Sequence, residues 1–124
     1  MSSPTQRSKV LLVKEGYRVA ITERWNPWAK IRQDLFGFID MIAMKGSYMA
    51  PTIGASLFMP GEIIGVQTTT KKNMGARIKK IESNLDSMTW VTSGGKLEVH
   101  GWFKGVKKWE CKRVEFKGGL WIPL

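Results

Sequence analysis

At 124 residues, with 20 Lys and Arg against 10 Asp and Glu, the chain holds enough polypeptide for one domain, residues 1–124, and carries a formal charge of +10. Its single cysteine, Cys111, and single histidine, His100, exclude an internal disulfide framework and all but exclude a Cys/His zinc site. No apolar run approaches the roughly 20 residues that span a bilayer, and the first residues, Met-Ser-Ser-Pro-Thr-Gln-Arg, lack the apolar stretch of a secretion signal; a cytoplasmic protein with no membrane partner is expected. A positive excess of this size draws polyanions from a distance, which points to nucleic acid or an anionic membrane surface, with a cytoplasmic protein that meets nucleic acid as the first reading and a basic globular protein without such a partner as the other.

In chain order, Ser3-Pro4-Thr5-Gln6 reads as a helix start. Ser3 can cap, proline suits the first helical position, and Gln6 completes a capping box. Val10, Leu11 and Val13 supply its expected apolar face, and Gly16 its end. Tyr17 to Glu23 is rich in β-branched residues and predicts a strand. Arg24 to Gln33, with Asn-Pro in the middle, predicts a structured loop holding Trp25, Trp28 and the cations Arg24, Lys30 and Arg32. Ile39 to Lys45 predicts a second strand, and Gly46 to Gly61 an irregular connection rich in turn signals. Glu62 to Thr69 predicts a third, central strand, apolar on both faces. A helix is expected from Met74 to Asn84 with Ala76, Ile78 and Ile81 inward, then a short helix over Asp86 to Ser93 closed by Gly94-Gly95. Lys96–Lys104 and Trp109–Lys117 read as two strands, and the apolar tail Gly118–Leu124 as a segment docked on the body.

The candidate chemistry lies where two of these strands meet polar groups. Asp40 stands at the mouth of the second strand, just after Arg32, Asp34 and Gly37. A carboxylate on a rigid strand is a hard oxygen ligand suited to Mg²⁺ or Mn²⁺. The third strand runs out into Gln67, Thr69 and Lys71, which share one face by the two-residue repeat of a strand. By the same parity Glu62 points away from Gln67. Glu23, at the end of the first strand, is the best second carboxylate, ahead of Glu15 and Glu62. The segment Thr68 to Lys80 leads a strand into a helix start beside Lys72 and Arg77, an arrangement that accepts phosphate. The turn of the last hairpin exposes Lys104, Lys107 and Lys108 as nucleic-acid contacts, whereas Trp102 and Trp109 read first as core or cross-strand packing. Trp25 and Trp28 likewise read as core or loop anchors before stacking platforms. His100 reads as a strand residue without catalytic duty, and Cys111 as a small buried apolar group.

Gly37-Phe-Ile-Asp40 and Gly65-Val-Gln-Thr-Thr69, with the helix, strand, strand, strand, helix order around them, resemble the PD-(D/E)xK nuclease superfamily, nearest to its small phage-type members that resemble Holliday-junction resolvases. The likeness covers roughly residues 5–84. It implies an α/β, restriction-endonuclease-like domain with a mixed central sheet, core order α-β-β-β-α-β plus a C-terminal strand. It implies Asp40 as the first acid, with the acid-x-lysine motif falling on Gln67-Thr68-Thr69, where glutamine replaces the carboxylate and threonine the lysine. Gln67 retains a carbonyl oxygen and Thr69 a hydroxyl, but neither brings charge. Lys71 or Lys72 then becomes the candidate for a relocated lysine. The expected activity is cleavage of branched or structured DNA with Mg²⁺ or Mn²⁺ held by Asp40, Gln67 and Glu23. A two-fold homodimer is implied, and the host cytoplasm if the protein is phage-encoded. Two other readings stand beside it: a nuclease-fold DNA-binding protein whose site has decayed, and a basic structural or interaction module of a nucleoprotein complex.

Overall fold

The computed structural model describes residues 3–124. The first helix, α1 (Pro4–Lys14), starts where the capping pattern places it: the Ser3 hydroxyl accepts from the backbone N–H of Gln6 at 3.2 Å. Ten strands follow in the order β1 (Arg18–Ile21), β2 (Arg24–Asn26), β3 (Ile31–Gln33), β4 (Met41–Lys45), β5 (Tyr48–Thr52), β6 (Ala55–Met59) and β7 (Glu62–Thr70), then, after the helices α2 (Met74–Glu82) and α3 (Leu85–Thr92), β8 (Lys96–Lys104), β9 (Trp109–Lys117) and β10 (Leu120–Pro123). A single 3₁₀ turn, Lys71–Asn73, joins β7 to α2.

Six strands form one mixed sheet in the order β1-β4-β7-β8-β9-β10; only β7 and β8 pair parallel, across the connection made by α2 and α3. The architecture is therefore α/β with helices on both faces. Against one face, α1 packs Leu12 on Met41, Ala43, Ile64 and Val66. Against the other, Met74, Ile81, Trp90 and Val91 of α2 and α3 pack with Phe38, Ile39, Leu97 and Val99. Gly65 in β7 belongs to that second layer for a steric reason: a Cβ there would lie 2.9 Å from the Ile39 side chain and 3.2 Å from the Trp90 ring. No helix among the described residues is long and apolar enough to cross a membrane.

The core order of helix, three strands, helix and strand matches the expectation, but several details differ. α1 buries Thr5, Ser8 and Leu12, whereas Val10 and Val13 are exposed. Two of the three inward positions are hydroxyls with partners in the sheet, Thr68 and His100, so apolar content misidentified the buried face. Ala76 is exposed too, its place on the inner face taken by Met74. The two stretches read as a loop and an irregular connection each hold a two-stranded hairpin, β2–β3 and β5–β6. The tail adds a strand, β10, to the sheet edge. Trp25 and Trp28 anchor nothing: both are exposed. Trp102 is buried, but Trp109 is exposed with the Arg7 guanidinium 3.9 Å above its ring. Cys111 is only half-buried; that burial still pushes its thiol up to about 12.

Candidate metal and nucleic-acid cleft

The strand register decides where Asp40 sits. β4 and β7 are antiparallel with Met41 opposite Val66, and the ladder continues one residue further through the Asp40 N–H, which donates to the Val66 carbonyl at 2.8 Å. Asp40 thus falls beside Gln67. The Gln67 amide donates to Asp40 Oδ2 at 2.6 Å, and the same oxygen accepts from the Thr68 backbone at 2.7 Å and the Thr68 hydroxyl at 3.1 Å. The expected pairing of acid and glutamine on adjacent strands is present.

Two further acids are brought to this point by backbone geometry. The end of β1 is tied to Asp40, whose carbonyl accepts from Thr22 N at 2.9 Å and Glu23 N at 3.1 Å; this holds Glu23 next to it. Thr5 of α1 then donates to Glu23 Oε1 at 3.2 Å and lies 2.9 Å from the Thr68 hydroxyl. Asp34 arrives by a different route. Leu35 and Ile39 form an antiparallel bridge across a tight turn in which Phe36 and Gly37 have φ of 55° and 85°. Glycine adopts such angles freely, and phenylalanine does so at a cost. The Asn84 amide helps to hold the turn through a 2.9 Å bond to the Phe36 carbonyl. The turn folds Asp34 back over Asp40. Carboxylate oxygens of Glu23, Asp34 and Asp40 all lie within 4.8 Å of one another.

The three acids line one open cleft of about 790 Å³, with Gln67, Thr68, Thr69 and the cations Arg32, Arg77 and Lys80. Lys80 Nζ is 3.6 Å from Asp34 Oδ2, and Arg32 is 3.8 Å from Glu23. Two acceptors in the cleft wall, Gln67 Oε1 and Asp34 Oδ2, are buried without a hydrogen-bond partner. Leaving such an atom unpaired costs about 1–3 kcal/mol. Burial above all, then the neighbouring Asp34 with which it can share a proton, raises the Asp40 carboxyl to about 8 against the opposing pull of the Thr68 N–H.

Not every expected site residue is here. Lys71 is not in the cleft: β7 stops at Thr70, and the 3₁₀ turn swings Lys71 over the Phe103 ring, 4.6 Å from its centre. Lys72, Arg24, Lys30, Lys104, Lys107 and Lys108 are exposed and outside the cleft lining. They share its end of the molecule, because β1, β7 and β8 all run toward it. Two members escaped the sequence reading as site residues. Asp34 was visible only as a neighbour of Gly37, since its approach depends on the positive-φ turn. Lys80 lies three residues beyond Arg77, and that helical spacing was the available signal.

No family model, curated protein or solved structure matches this chain.

The donor set itself tests what the cleft can hold. Three carboxylates and an amide carbonyl are all hard oxygen ligands, the kind that suits Mg²⁺ or Mn²⁺ and disfavours softer metals. Gln67 Oε1 and Asp34 Oδ2 lack a hydrogen-bond partner, Asp34 Oδ2 reaching only Lys80 at 3.6 Å, and Asp40 has no ion-pair partner among the described residues, so oxygen donors in the cleft are left free to face an ion. The residues fit a divalent cation.

Proposed function

We propose that the cleft is the active site of a divalent-metal-dependent DNA endonuclease of the PD-(D/E)xK kind, in a restriction-endonuclease-like fold, hydrolysing phosphodiesters in branched or structured DNA. The single observation that carries the reading is the meeting of three carboxylates with three cations in one open cleft on a chain of net charge +10. A strand-borne acid and a polar residue on the neighbouring central strand, with basic helix residues above them, also agree with the motif likeness in Gly37-Phe-Ile-Asp40 and Gly65-Val-Gln-Thr-Thr69.

Asp40, Asp34 and Glu23 would hold the ion, with Gln67 Oε1 as an auxiliary donor. The ion would supply an acidified water and charge stabilisation at the phosphate. Arg77 and Arg32, both in the cleft lining, grip non-bridging phosphate oxygens. Lys80 fills the part of the missing motif lysine: it approaches the acid cluster from α2, whereas Lys71 faces elsewhere. Thr69, in the cleft lining, would offer its hydroxyl to substrate or water.

The test is incubation of linear, single-stranded and branched DNA with Mg²⁺, Mn²⁺ or chelator. Cleavage is expected with either ion, absent with chelator and absent in Asp40→Ala, which should still bind DNA. Undiminished cleavage by Asp40→Ala overturns the site. One observation favours a second reading, a decayed nuclease that binds without cutting: Gln67 and Thr69 bring no charge, and the Gln67 amide already occupies Asp40 Oδ2. Tight, salt-sensitive DNA binding with no cleavage in Mn²⁺ would select it.

A further inference from the structure

We propose that Trp28 is a base-stacking residue that gives the cleft its preference for DNA with unpaired bases; the proposal rests on the reading of the cleft as a DNA site and names the feature of the substrate that site selects. Trp28 is 95% exposed. An indole is a large apolar surface that folded chains usually cover. Here no described residue covers it.

Its position is specific. The β2–β3 hairpin rises directly from the cleft: Glu23 precedes it, and Arg32 and Gln33 in its second strand line the cleft wall. The turn that carries the indole is braced. The Asn26 side chain accepts from the backbone N–H of Trp28 at 3.0 Å and of Ala29 at 3.1 Å. Pro27 restricts the backbone between them, and Lys30 closes the turn at φ 54°. A braced turn holds the ring out in water.

The surroundings indicate what the ring meets. The hairpin carries Arg24, Lys30 and Arg32 and no acid between Arg24 and Gln33, and half-exposed Trp25 lies on the same ribbon. Cations beside projecting aromatic faces are the means by which proteins grip a nucleic-acid backbone and stack its bases without reading sequence. In an intact duplex the base faces are covered by their neighbours, and an indole has one donor with which to read an edge. A frayed end, a flap or a junction offers the free base face that the ring requires.

The experiment is equilibrium binding in chelator, so that cleavage plays no part and the metal-site reading is judged separately by Asp40→Ala. Oligothymidylate, a forked duplex and a blunt duplex are titrated into wild type, Trp28→Ala and Trp28→Phe, with tryptophan fluorescence followed in parallel. Trp28→Ala should weaken binding to oligothymidylate and fork by about tenfold, leave blunt duplex within about twofold and abolish most of the fluorescence quenching. Trp28→Phe should recover most of the affinity. Because the side chain lies outside the packed body, thermal unfolding should not change. Equal affinity of wild type and Trp28→Ala for all three DNAs overturns the proposal. So does an equal loss on duplex and single strand, which would make Trp28 an unselective contact, or a surface meant for a protein.

Discussion

Two clusters of polar groups are buried against the same sheet, and they are finished differently. In the cleft, Glu23, Asp34 and Asp40 crowd together, and two acceptors have no partner. Under α1, on β8, the Trp102 indole donates to the Ser8 hydroxyl at 2.9 Å, and Ser8 lies 2.8 Å from His100 Nδ1. His100 Nε2 lies 2.8 Å from Glu98 Oε1, and Arg113 bonds both Glu98 at 3.0 Å and Glu15 at 2.7 Å. The ionised Glu98 carboxylate can only accept, so Nε2 carries the proton that meets it, and in the neutral imidazole Nδ1 then accepts from the Ser8 hydroxyl. Serine, histidine and glutamate in a row suggest a hydrolase triad, but Ser8 and His100 have no exposure at all. This chain locks α1 to the sheet. Burial pushes Glu98 up, yet His100 and Arg113 outweigh it and its carboxyl titrates below the usual range. Asp40, with no cation of its own, goes the other way. Under α1 the acids Glu15 and Glu98 meet Arg113 at 2.7 and 3.0 Å, although Arg113 Nε is itself buried without a partner; in the cleft the ion pairs are longer, 3.6 and 3.8 Å, and Asp40 has none among the described residues.

The largest effect should come from separating the two by mutation. Asp40→Asn is expected to lower metal-dependent cleavage by two to three orders of magnitude, on the order of what removing a transition-state contact costs, while raising Tm slightly because it relieves the crowding. Arg113→Ala should do the reverse: cleavage unchanged, stability down by about 3 kcal/mol as Glu98 loses a buried partner. Denaturant unfolding and a nuclease assay on both variants check this; loss of activity in Arg113→Ala without unfolding would erase the distinction.

A step smaller, Gln67→Glu would place a second carboxylate against Asp40. Without metal the variant should unfold at a lower temperature, and its Mn²⁺ affinity should rise by about tenfold or more. Isothermal titration with Mn²⁺ reads this directly, and an unaltered affinity would count against Gln67 as a ligand.

The pH dependences should have opposite signs. Asp40, raised from 3.8 to about 8, contributes stability fully below about pH 4 and loses it as pH rises toward 8. His100, held below 6.5 by its burial despite Glu98, contributes above 6.5 and loses that contribution as pH falls through its folded value. Glu98, lowered from 4.5, adds a further acid-side loss below that pH. Melting curves from pH 4 to 9 should therefore show a decline between about pH 6.5 and 8 that Asp40→Asn removes, and below pH 6.5 an acid-side loss that Asp40→Asn steepens, because the opposing Asp40 contribution is gone. Mn²⁺ competes with the Asp40 proton, so its stabilising shift should grow from pH 6 to pH 8.

The smallest contrast is between two lysines. Lys80→Ala should slow cleavage by roughly tenfold to a hundredfold, whereas Lys71→Ala should change it by less than about twofold, as for an exposed charge screened by salt. Equal effects would return Lys71 to the site.

Much of the frame was legible from local pattern. The Ser3 cap and the bounds of β8 and β9 follow from short-range rules, capping chemistry and the two-residue repeat of a strand, while the pairing of Asp40 with Gln67 was implied by the motif likeness. What those rules could not reach was the satisfaction of polar groups by distant partners. Thr5 and Ser8 look like surface residues of a helix until Thr68 and His100, 63 and 92 positions away, come to meet them. The exposure of Trp28, the approach of Lys80 to Asp34 and the return of Asp34 over Asp40 depend in the same way on which surfaces the fold leaves uncovered. Periodicity and propensity act across a few residues and could specify the strands and helices; whether a buried charge is paired or left open is decided only when the chain closes on itself.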